Sequence, residues 1–186
     1  IFSCSISFQK REKGLNHQIK MPNIQGPENL KSDLELRKDL KSKIPKDYLP
    51  MWLREREIET RQVEPVDLLK AEKLPPYRST WMKPTGKLPA DERIHQALLL
   101  YVSDMGLLGA AVNPHEVNFM SSKFQSASLD HVMWFHGKVN FNNWILHHMH
   151  SPISQNARGF SRGSIYTKSG KLVASTAQEG LMRIWD

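Results

Sequence analysis

A change of hydrophobic period along the chain limits the fold more than any other feature. Beyond Pro89, Ile94, Ala97, Leu98, Tyr101, Val102, Met105 and Leu108 recur at spacings of three and four, the mark of an amphipathic helix. Asp91 and Glu92 occupy its first turn, where the helix dipole favours acids. From Ser126 onward the period becomes two, over Ser126 to His136, Trp144 to His150, Gly159 to Thr167 and Val173 to Trp185. Lys168-Ser-Gly-Lys171 supplies a hairpin turn between the last two. One long helix followed by antiparallel strands predicts an α+β fold with the sheet curled around the helix.

The stretch before the helix reads differently. Tyr77 to Met82 is a predicted strand, closed by the turn Lys83-Pro-Thr-Gly86. Residues 12–75 read as a charged linker with short elements: a helix from Pro27-Glu28 to about Leu40, breaks at Pro45 and Pro50, and a short strand over Ile58 to Val63. Residues 1–11 open with Ile1-Phe-Ser-Cys-Ser-Ile-Ser-Phe-Gln9, which alternates like a half-buried strand. A lone strand satisfies neither edge, so it is expected to pair with material upstream, a later segment or another chain. Residues 76–186 form the predicted domain, with four of the five Trp and seven of the eight His.

Composition excludes several classes. With 39% hydrophobic and 24% charged residues the chain is not a disordered tail. Cys4 has no partner for a disulfide, which suits a reducing compartment. The longest apolar run without Gly, Ala97 to Val102, is far too short to span a bilayer, so a soluble chain is expected. The net charge of +7 is spread as +3 over residues 1–75 and +4 over residues 76–186. Without a basic stripe, a nucleic-acid partner is the weakest reading.

Three polar residues sit where packing alone would not put them. Asp104 borders the apolar helix face near its C-terminal end, where the dipole and desolvation would tune a general base. The plainer alternative is an exposed Asp ending the helix before Gly106. Gln178 interrupts the small and apolar strand face Ala174, Thr176, Gly180, Met182 and Ile184. A buried amide there needs partners, and could serve a water and an oxyanion, or simply a neighbouring backbone group. Ser128 heads the strand leading to His136, a position ordinarily filled by a cap.

Ser128-Leu-Asp-His-Val-Met-Trp-Phe-His136, Ala157-Arg-Gly-Phe-Ser-Arg-Gly163 and Leu172-Val-Ala-Ser-Thr-Ala-Gln-Glu-Gly-Leu-Met-Arg183 together resemble the acyl-CoA thioesterase II family. Tyr101-Val-Ser-Asp104 resembles the family's helix end, and Ile1 to Gln9 the last strand of its first domain. The resemblance implies a double hotdog of which this chain holds the second half and the terminal strand of an incomplete first. It implies catalytic roles for Asp104, Ser128 and Gln178, with no cofactor or metal. The implied activity is hydrolysis of fatty acyl-CoA to free fatty acid and CoA by an activated water, in lipid metabolism. It also implies a homo-oligomer built by hotdog pairing. The alternative is a non-catalytic hotdog that binds acyl-CoA or serves in assembly. Peroxisomal location is implied too, although the chain ends Arg183-Ile-Trp-Asp186 without a Ser-Lys-Leu address; cytoplasm is the alternative.

Two competing sites are weaker. Gly159-Phe-Ser-Arg-Gly163 spells Gly-x-Ser-x-Gly, but a nucleophile elbow needs a strand running into a helix. His147, His148 and His150 invite a metal, yet alternation offers only His148 and His150 on one face, without a third ligand. Asp130 and His131 read as hydrogen-bonding partners of the sheet, and Trp134, Phe135 and Trp144 as core.

Overall fold

The computed structural model describes residues 3–67 and 69–185. Among them the chain forms β1 (Ile58–Gln62), β2 (Tyr77–Pro84), β3 (Phe124–Ser128), β4 (Val132–Phe135), β5 (Ile145–Gln155), β6 (Arg158–Thr167) and β7 (Leu172–Ile184). Its α-helices are α1 (Asp33–Asp39), α2 (Leu49–Trp52), α3 (Glu92–Ser103) and α4 (Leu107–Val112). Every strand pairing is antiparallel, in the order β1-β2-β5-β6-β7-β3, with β4 also on β7. The sheet therefore begins ahead of the residue 76 boundary, because β1 pairs with β2.

Leu99 and Val102 of α3 pack on one sheet face with Ile58, Met82, Phe141, Ile145, Ile165 and Val173. Leu107 and Ala110 of α4 continue the contact onto Met149. This is the expected α+β arrangement of a helix held by a curled sheet. Glu92–Val112 is long and apolar enough by composition to cross a bilayer, but here it is two helices broken at Gly106 (φ 95°) and packed on the sheet.

The buried side of α3 differs from the expected stripe. Its buried residues are His95, Leu99, Val102 and Ser103, whereas Ile94, Ala97, Tyr101 and Met105 face outward. Over Ala97 to Val102 this helix is apolar on every side, so its partners decide which side is buried. Two polar groups enter the core because each finds a bond: His95 Nδ1 accepts from Phe141 N–H at 3.1 Å, and Ser103 Oγ donates to Leu100 O at 2.7 Å.

The strand expected from Ser126 to His136 is interrupted. β3 pairs with the C-terminal half of β7 and β4 with its N-terminal half. Between them Leu129 and Asp130 N–H both reach Glu179 O, and Asp130 Oδ1 accepts from Glu179 N–H at 2.8 Å. Trp134 and Phe135 of β4 are exposed rather than core, and Trp144 is half-buried.

The linker also does more than connect. Met21, Ile24 and Leu30 pack on the opposite sheet face against Trp81, Leu146 and Tyr166. Trp81 Nε1–H donates to Gln25 O at 2.9 Å, and Arg61, lying over Trp144, donates to Pro27 O and Leu30 O. Within it, the helix predicted from Pro27 shrinks to a 3-10 turn and then α1, opened by a Ser32/Glu35 capping box. Residues 3–9 form no strand, leaving Ile6 and Phe8 exposed. Ile1 and Phe2 of the expected strand lie outside the described residues.

Candidate functional site

The break between α3 and α4 creates the site. Asp104 is the C-cap of α3, and Gly106 adopts the left-handed conformation that turns the chain into α4. Asp104 is therefore exposed at the helix end, not buried in its apolar face. Ser128 closes β3 opposite Gly180, and Gln178 lies on β7 opposite Ser161. The sheet carries both to the helix break.

There the three side chains converge. Ser128 Oγ–H donates to Asp104 Oδ1 at 2.9 Å, and Gln178 Nε2–H donates to the same oxygen. Among the described residues Asp104 Oδ2 accepts nothing, and Gln178 Oε1 is buried without a partner. One carboxylate oxygen is thus fixed by two donors while the other keeps its lone pairs for an incoming proton.

A second layer supports the first. Ser103 Oγ lies 2.8 Å from His131 Nε2, and His131 Nδ1 lies 3.5 Å from Gln178 Nε2. His131 enters because the strand breaks just before it, a break the residue alternation does not announce. Burial holds its imidazole below the usual 6.5, against the opposing pull of the Asp104 and Asp130 charges.

The competing readings meet their geometry here. Ser161 sits mid-strand and its hydroxyl donates to Leu107 O at 2.8 Å, so no elbow forms at Gly159 to Gly163. His147 points into the core toward Thr176 Oγ1 at 3.3 Å, His148 contacts Ser79 Oγ at 3.0 Å, and His150 is exposed. No group of three or more His, Cys, Asp or Glu among the described residues is placed to hold a metal ion.

Similarity to known proteins runs through the same region. A family model described as acyl-CoA thioesterase matches residues 52–181. Acyl-CoA thioesterase 2 of Haemophilus influenzae is 35% identical over 177 residues, covering 95% of this chain and 62% of the relative. Acyl-coenzyme A thioesterase 8 of Mus musculus is 34% identical over 196 residues, covering 99% and 59%. The crystal structure of an acyl-CoA thioesterase II from Mycobacterium marinum superposes with a TM-score of 0.69 at 28% identity, over 96% of this chain and 61% of that one. The chain thus spans about three fifths of the length of the relatives it matches. On the family match across β1 to β7 and on this architecture, a hotdog, the chain belongs to the acyl-CoA thioesterase family.

Proposed function

We propose that this chain hydrolyses fatty acyl-CoA to a free fatty acid and CoA, with Asp104 as general base and Ser128 and Gln178 orienting it. The observation that carries the reading is the sharing of Asp104 Oδ1 between Ser128 and Gln178 while Oδ2 is left open. A thioester carbonyl is already electrophilic, so a positioned water suffices and no covalent nucleophile is required. Asp104 Oδ2 takes a proton from the water as its oxygen bonds to the acyl carbon. A main-chain N–H near the helix break stabilises the oxyanion. Collapse of the tetrahedral intermediate breaks the C–S bond, and the CoA thiolate leaves and recovers the proton from Asp104.

Asp104→Asn keeps the shape and removes the base. Release of free thiol from a panel of acyl-CoAs should fall by about 10²- to 10⁴-fold, the usual worth of general-base catalysis, with the circular dichroism spectrum unchanged. Full turnover by that variant would end the assignment.

We further propose pairing with another hotdog across the outer side of α3. Supporting this are Ile94 (43% exposed) and Tyr101 (65%) on the helix and Met105 (42%) just beyond its end, an apolar set left open to water. The same surface favours the second reading, a hotdog that binds acyl-CoA or serves in assembly without turnover. Acyl-CoA binding with no thiol release from the unaltered chain would select it. The proposed compartment is the peroxisome, in keeping with the peroxisomal acyl-coenzyme A thioester hydrolase 1 of Saccharomyces cerevisiae, 34% identical over 48% of this chain, and the cytoplasm is the alternative.

A further inference from the structure

Hydrogen-bond direction can be traced from the helix into the site. Ser103 Oγ–H is committed to Leu100 O at 2.7 Å, so toward His131 Nε2 at 2.8 Å the hydroxyl oxygen can only accept. The imidazole proton therefore sits on Nε2. Nδ1 is left bare, and the group facing it at 3.5 Å is the Gln178 amide nitrogen. The same nitrogen donates its other hydrogen to Asp104 Oδ1.

We infer that His131 is a positioning residue, whose bare Nδ1 holds the Gln178 amide with its NH2 toward Asp104. This inference rests on the proposed water-activating site and names a device that keeps it assembled. Turning the amide over would bring Gln178 Oε1 against Asp104 Oδ1, two acceptors in contact. Protonation of His131 on Nδ1 demands that turn, because an N–H would then face the NH2.

Groups from each neighbouring element bear on the titration. Asp104 at the end of α3 and Asp130 in the β3–β4 break favour the imidazolium, burial opposes it most, and His147 from β5, itself pushed down to about 3 by burial, is uncharged while His131 titrates. Ser103 on α3 and Gln178 on β7 are neutral. Burial dominates, so the imidazole stays neutral down to pH values below its usual 6.5 and the site disassembles only in acid.

The test joins a spectroscopic readout to a kinetic one on the same chain. In ¹⁵N NMR of the histidine side chains, His131 should be the Nε2–H tautomer, and the Gln178 side-chain NH2 resonances should move with the His131 titration at one midpoint. In His131→Asn, whose amide oxygen can replace Nδ1 and does not titrate, that movement should vanish and the acid limb of kcat should shift. His131→Ala should lose kcat by on the order of a hundredfold at little change in KM, the scale of a misplaced catalytic group. An Nδ1–H tautomer, or Gln178 resonances indifferent to His131, would overturn the inference. So would a His131→Ala enzyme that is less stable but keeps the wild-type pH profile, since that is what a purely structural histidine gives. Should Asp104→Asn stay fully active, or the chain release no thiol, the proposed function fails, and the NMR arm still decides the role of His131.

Discussion

His147 offers a stability test built on a single proton. Its ring is wholly buried on the helix-facing side of β5, with Nε2 3.3 Å from Thr176 Oγ1 and no partner for Nδ1 among the described residues. Burial first, then the neighbouring His131 and His148, pushes it down from 6.5 to about 3. The unfolded chain takes up this proton as the pH falls past 6.5, whereas the native chain refuses it until about 3. The contribution is therefore complete above the unfolded value and is lost progressively as the pH drops through that window. One proton is worth about 1.4 kcal/mol per pH unit once the unfolded state is saturated, so moving from about pH 7.5 to about pH 5.5 removes about 1.4 kcal/mol. That figure holds for any native value below about 4.5, because only the unfolded chain titrates over that range. Urea unfolding at both pH values, with the same m, measures it for the wild type and for His147→Gln, which does not titrate. The wild type should lose about 1.4 kcal/mol more than the variant, and His131 and His148, also lowered by burial, contribute to both. Equal losses would refute the account. Should His147→Gln not fold, direct NMR titration of His147 in the wild type decides, and a midpoint near 6.5 would count against it.

Other perturbations follow from neighbouring contacts. A methyl group at Gly163 would collide with His147 Nε2 and Thr176 Oγ1 between paired strands, so Gly163→Ala should cost about 1–3 kcal/mol by overpacking. An unchanged urea midpoint would mean that the strands have slack. Trp81→Phe removes the donor to Gln25 O, a loss of about 0.5–1.5 kcal/mol, the net worth of one hydrogen bond to an exposed residue. Trypsin should then cut faster at Lys20, and wild-type cleavage rates would show that the linker does not depend on this anchor.

The placement of Asp104 at a helix end explains why a site is legible here at all. A carboxylate beside an apolar stripe, an amide inside a small-residue strand face and a hydroxyl at a strand start each depart from what packing alone would choose. Their residue types could be noticed one by one, while their meeting at Asp104 Oδ1 depends on β3 and β7 lying together over the α3–α4 break. The supporting layer was harder to see. Ser103 looks like an ordinary helical serine and His131 like a strand histidine, and both gain their roles from a break that Asp130 makes by bonding to Glu179 N–H.

Local periodicity, hairpin chemistry at Lys168 to Lys171 and the acidic residues at the helix start determined the kinds of element, their order and the α+β class, because each depends on residues a few positions apart. Tertiary structure decided which side of α3 is buried, since a helix apolar on several sides has no internal reason to prefer Leu99 over Tyr101. It also decided that the linker covers the far sheet face and that His95, Ser103 and His147 enter the core. A polar group is buried where a distant segment of chain brings it a partner or close packing, and no short stretch of sequence carries that information.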